Sequence, residues 1–148
     1  MKLLFITAFM CCFFISKAQE KYSQKLYAYN EKSDSATFHF IYVELAPGVT
    51  PIWDTAIIDG SIYAVHATLI ETIPLQLGER KKDKRMVFIR PQPDYKLWQL
   101  EFDLVEEKPA STAGTGTNKG VVLTGRVKSR KITYQVRQEV ELVSRNSF

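Results

Sequence analysis

The stretch VVLTGRVKSRKITYQV, residues 121 to 136, decides the fold class. If the chain turns about Ser129-Arg130, then Val121, Leu123, Val127, Ile132, Tyr134 and Val136 fall on one face. Arg126, Lys128, Thr133 and Gln135 take the other. Alternation with a period of two marks a half-buried strand, not a helix. The pattern predicts a hairpin with Val127 opposite Ile132 and Gly125 opposite Tyr134. The tyrosine ring would then cover the bare glycine backbone, as aromatic residues do in strands.

The same logic extends upstream. In Lys96–Glu106, Trp98, Leu100, Phe102 and Leu104 alternate with Gln99, Glu101 and Asp103, so one face points inward and the other to water. Further β-branched and aromatic runs bounded by turn residues predict strands at Thr37–Leu45, Ile52–Ile58, Ser61–Glu71, Met86–Pro91, Val121–Lys128 and Lys131–Val143. Leu26-Tyr27-Ala28-Tyr29 reads as a first strand and Pro74–Leu77 as a short one. Asp59-Gly60 between Ile58 and Ser61 has the composition of a two-residue hairpin turn. Continued past Thr55, that hairpin sets Trp53 opposite His66, an imidazole stacked on an indole. Strands with no helical stretches between them predict an all-β fold: an antiparallel β-sandwich, or alternatively a small closed β-barrel of about eight strands. Ala110 to Lys119, rich in Gly, Ser and Thr, reads as a loop.

The start of the chain carries a different signal. Lys2 precedes an apolar run from Leu3 to Ile15, and Ser16-Lys17-Ala18 places small residues three before and one before a cut ahead of Gln19. This is the architecture of a secretory signal peptide. Thirteen residues at ~1.5 Å each reach roughly 20 Å, short of a ~30 Å hydrocarbon core. The expected organisation is a signal peptide over residues 1–18 and one antiparallel β domain over 19–148, periplasmic or extracellular after cleavage near Ala18.

Both cysteines, Cys11 and Cys12, leave with the signal, so the mature chain holds no disulfide and no thiolate metal site. Asn30, Asn118 and Asn146 all fail the glycosylation pattern. Together these features point to a bacterial envelope. Without Lys2 and Lys17 the chain has 18 basic against 16 acidic residues, a net charge of +2. That is close to balance, and no nucleic-acid motif accompanies it, so no nucleic-acid partner is expected. No apolar stretch of the mature chain is long enough to span a membrane as a helix. Phe148 resembles the end of some outer-membrane barrels, but Ser144 to Ser147 break the alternation such a strand needs.

Few residues recommend themselves for chemistry. No Gly-x-Ser-x-Gly elbow, His-Glu-x-x-His motif or calcium loop occurs, so neither a catalytic residue nor a metal site nor a cofactor is assigned. His39, between Phe38 and Phe40, is expected at a strand surface. Glu101 and Asp103 lie ~7 Å apart on one strand face. That spacing suits a glycoside-acting carboxylate pair, though it suits a solvated face equally. Gly114 to Gly120 lacks the Gly-Lys-Ser/Thr order of a phosphate loop.

The candidate ligand-binding residues are two basic turns. One holds Arg80, Lys81, Lys82, Lys84 and Arg85; the other holds Arg126, Lys128, Arg130 and Lys131. Together at one end of the fold they would bind a polyanion such as an acidic glycan; apart, they keep turns soluble and edges unpaired. The expected function is non-catalytic recognition, with an envelope protein or a glycan as partner. The rival is a small-ligand carrier whose cavity is lined by Trp98, Phe102 and Tyr134.

Overall fold

The computed structural model describes residues 24–107 and 120–144. The signal at Met1–Ala18, the loop at 110–119 and Phe148 lie outside the described residues. The described chain forms ten strands and no helix: β1 (Lys25–Lys32), β2 (Thr37–Leu45), β3 (Trp53–Ile58), β4 (Ser61–Ile70), β5 (Leu75–Glu79), β6 (Met86–Ile89), β7 (Lys96–Glu106), β8 (Val121–Val127), β9 (Arg130–Gln135) and β10 (Val140–Leu142). The fold is all-β. No helix among these residues is long and apolar enough to cross a membrane.

Eight strands make one curled sheet in the order β10-β1-β2-β7-β4-β3-β8-β9, and β5 pairs with β6 in a small second sheet. The arrangement fits a sandwich or a half-barrel. Both edges of the large sheet come from one stretch of chain. The predicted strand Lys131–Val143 pairs first with β8, leaves it after Val136, and then pairs with β1 as β10. Six antiparallel steps separate β1 from β9, so both run the same way. The segment that continues from β9 must therefore meet β1 in parallel, as it does. The sheet is accordingly mixed, where a purely antiparallel one was expected.

Two cores follow from this curl. Inside it, Ile41, Val43 and Leu45 of β2 pack with Leu100 of β7, Ala56 and Ile58 of β3, and Val121 and Leu123 of β8. On the outer face, Tyr42 of the same β2 packs with Tyr29, Leu97 and Leu142, and the β5–β6 hairpin lays Leu77 and Ile89 on top. The central strand is thus buried on both faces, which explains its near-continuous apolar run. Leu104, expected inward, is 55% exposed because β7 outruns β2: their pairing stops at Ile41 with Leu100.

The Asp59-Gly60 turn forms as read, with Ile58 opposite Ser61 and positive φ at both turn residues. The Trp53–His66 pair does not. A bulge between Trp53 and Thr55 rotates Trp53 into the inner core, where its ring centroid lies 6.2 Å from that of Tyr134. His66 instead faces water and meets Asp103 at 3.1 Å. A bulge adds one residue to one strand and so switches faces beyond it.

The β8–β9 hairpin is also tighter than expected. Val127 pairs with Arg130, so the turn is Lys128-Ser129, both with positive φ, and Tyr134 faces Leu123. The slip is two residues, so every side chain keeps its predicted face. A two-residue turn of this type matches strand twist, and that geometry wins over a longer loop. Its second position favours glycine. Ser129→Gly is expected to stabilise the domain by about 0.5–1 kcal/mol, read as a rise in the urea midpoint.

Candidate functional site

The two basic turns line different hollows. The β5–β6 turn packs against β10, where the Lys81 and Val143 amides donate to the Glu141 and Glu79 carbonyls. Its cations are largely engaged: Arg80 Nε meets Asp83 at 3.0 Å, Arg85 Nε meets Asp83 at 3.8 Å, and Lys81 Nζ meets Glu141 at 2.7 Å. Lys82 lines the adjoining hollow with Arg80, Lys81, Glu139 and Glu141, while Lys84 adopts positive φ in the turn itself. At the other turn Arg126 and Lys131 are cross-strand partners on the outer face, beside a hollow of about 260 Å³ that Asp54 also lines. Lys128 and Arg130 are exposed at its tip. Glu101 and Asp103 are exposed on the outer face of β7, with Asp103 held by His66.

The hydrogen bond from Lys81 holds the Glu141 carboxyl below the usual glutamate range, with Lys32 adding to the effect. A lowered folded value means that this contribution is complete above the ordinary glutamate value and fades as pH falls through the lowered one. Both partners are solvated, so its size is below about 1 kcal/mol. Acid titration is expected to loosen the β5–β6 tip before the inner core. Glu141→Gln should abolish that early step, as followed by amide exchange at Lys81 and Val143.

A different site emerges where the curl fails to close. Among the described residues β1 pairs with β10 only from Tyr29 to Glu31, and β9 pairs only with β8. Leu26 and Ala28 of β1 and the chain from Tyr134 to Gln138 line one gap, and no strand pairing joins them among the described residues. The gap is a cleft of about 310 Å³ lined by Leu26, Ala28, Tyr134, Val136, Arg137 and Gln138. Leu26 and Ala28 belong to the inner face of β1, so the cleft opens onto the inner core. Tyr134, 44% exposed, stands on its floor against the buried indole of Trp53. An apolar concavity with few polar groups is the usual form of a recognition site, and this volume is near the lower limit for one.

Beyond the cleft, where β10 joins β1, the next inner position on β1 is Asn30, and Glu139 follows Gln138 into β10. These two meet His39 of β2 in a buried polar cluster. Asn30 Nδ2 donates to Glu139 Oε2 at 3.2 Å, and His39 Nδ1 lies 2.6 Å from Glu139 Oε1. The His39 and Glu139 side chains are only 7% and 13% exposed. The expectation that His39 sits at a strand surface is therefore corrected: the segment crossing from β9 to β10 covers it. An ionised carboxylate only accepts, so the contacts fix the Asn30 amide orientation and put the imidazole proton on Nδ1. Among the described residues Asn30 Oδ1 and His39 Nε2 find no hydrogen-bond partner. In the neutral ring both are acceptors.

A second buried carboxylate serves the fold. Glu44, 3% exposed, accepts from Tyr27 Oη at 2.5 Å and from the Gln92 amide at 2.8 Å, tying the β6–β7 connection to β2. Burial, and then this bond, push the Tyr27 phenol up. Among the described residues no cluster of histidines and carboxylates has the make-up of a metal site.

Neither Asn30 nor Glu139 stands out in the sequence as a site residue. Asn30 carried a signal, as the polar member of the inner series Leu26, Ala28, Asn30. Glu139 carried none, because its partners come from strands 100 and more residues away. Comparison with protein families, with curated proteins and with solved structures finds no match to this chain.

Proposed function

We propose that this chain is an exported, non-catalytic recognition domain of a bacterial envelope, and that the cleft between β1 and β9 is its binding surface. The observation that supports this reading is the unclosed stretch of the curled sheet. The edge of β1 before Tyr29, which pairs with no described strand on that side, offers backbone groups, and Leu26, Ala28, Tyr134 and Val136 offer apolar surface. Exposed sheet edges bind extended peptides through main-chain hydrogen bonds, with pockets for alternate side chains giving specificity. The occupant is a short extended segment of another envelope protein, since about 310 Å³ holds a few side chains only.

The test is cross-linking of the exported protein in cells, with mass spectrometry of what is captured. One reproducible protein partner, lost in a Tyr134→Ala, Gln138→Ala double variant, is the expected result. Equal capture by that variant would move the binding surface elsewhere.

One observation favours a second reading, a small-ligand carrier. The indole nitrogens of Trp53 and Trp98 are buried on the inner wall without hydrogen-bond partners among the described residues. A carrier would show indole fluorescence changes with small apolar molecules and no captured protein.

A further inference from the structure

One hollow of the outer face is built from three cross-strand pairs. Ile57 pairs with Ile62, Thr55 with Thr124, and Arg126 with Lys131. Each pair lies one strand over and two residues along from the last, so they run diagonally from β4 to β9. All six line the hollow of about 260 Å³, together with Asp54 and Gly125. It lies where the bulge takes the Trp53 ring off this face. Along the diagonal the surface passes from apolar to hydroxyl to cationic. The cationic end is costly, because like charges directly opposite on neighbouring strands repel. The other basic turn offsets its charge: Asp83 meets Arg80 and Arg85, and Glu141 meets Lys81. Among the described residues neither Arg126 nor Lys131 has an ion partner, although Asp54 lines the same hollow. Two cations and one carboxylate leave a single positive charge, which one anionic group cancels.

We infer that this hollow binds one acidic sugar residue of a glycan. Such a ring carries the same order of chemistry as the diagonal. Its carboxylate lies between Arg126 and Lys131, and its hydroxyls exchange hydrogen bonds with Thr55 and Thr124. A further hydroxyl donates to Asp54, and the C–H face of the ring covers Ile57 and Ile62. A bare inorganic anion fits less well, since it meets the Asp54 carboxylate with no proton to offer. Both cations are exposed, so binding is weak and falls with added salt. The site is independent of the cleft, where Tyr134 points to the inner face against Trp53.

Methyl glucuronide, methyl glucoside and inorganic sulfate, titrated into the wild-type protein and followed by NMR, test the inference. The glucuronide is expected to bind at least about tenfold more tightly than the other two and to move the Thr55, Thr124 and Arg126 amides. Lys131→Gln should remove that preference. Without ligand the same variant should raise the urea midpoint, because it relieves the repulsion with Arg126. Tighter folding with lost binding is what a residue kept for a ligand gives, and a merely solubilising lysine does not. Equal binding of the glucuronide and the glucoside would overturn the inference, as would a preference that survives Lys131→Gln. Sulfate binding as tightly as the glucuronide would also overturn it, reducing the hollow to its charge.

Discussion

Gly125→Ala is expected to destabilise the domain by about 3 kcal/mol or more, at the upper end of what overpacking costs. The cause is backbone, not side chain. A Cβ built on Gly125 falls 2.0 Å from the Ile52 carbonyl oxygen, 2.7 Å from its carbon and 3.0 Å from Trp53 Cα. None of these can swing aside. The Arg126 amide donates to the same Ile52 carbonyl at 3.1 Å, fixing the approach. This contact seats the bulge that turns Trp53 into the core, so the variant should also loosen Trp53 against Tyr134. Urea unfolding monitored by indole fluorescence gives the number. A loss below about 1 kcal/mol would mean that the entry to β3 is not seated as described.

Glu139→Ala is expected to cost about 3 kcal/mol, because it strands His39 and Asn30 in a site that water barely reaches. It also frees the crossing segment from the inner wall, so pairing of β10 with β1 should weaken and amides from Tyr29 to Glu31 should exchange faster. Glu139→Gln keeps one acceptor for the His39 ring and should cost less than half as much. If the alanine and glutamine variants unfold at the same urea concentration, the cluster contributes no more than its shape.

The strands were legible because their signals are local. Alternation in Lys96–Glu106 and Val121–Val136 needs only a wet face and a dry face, and the turn at Asp59-Gly60 needs only two adjacent residues with positive φ. Register was less so. Counting from a turn pairs Trp53 with His66 and Gly125 with Tyr134, and geometry overrides both, at a bulge and at a tighter turn. The closure of the sheet was not legible at all. Lys131–Val143 reads as one strand, and nothing in its composition says that it changes partners near Val136. The polar cluster depends on that change of partner, which brings Glu139 over His39. The basic turns, by contrast, were conspicuous in sequence because charge clusters are easy to see. The fold then engages several of those cations with Asp83 and Glu141.

Recognition is proposed to take place at the cleft between β1 and β9. Site-specific photo-cross-linking in cells tests it most directly, with the reactive residue placed at Tyr134 in one strain and at Phe88, exposed on β6, in another. The expected result is a discrete protein adduct from position 134 and none from position 88. Adducts of the same partner from position 88 alone would contradict that proposal and place recognition on the β5–β6 hairpin.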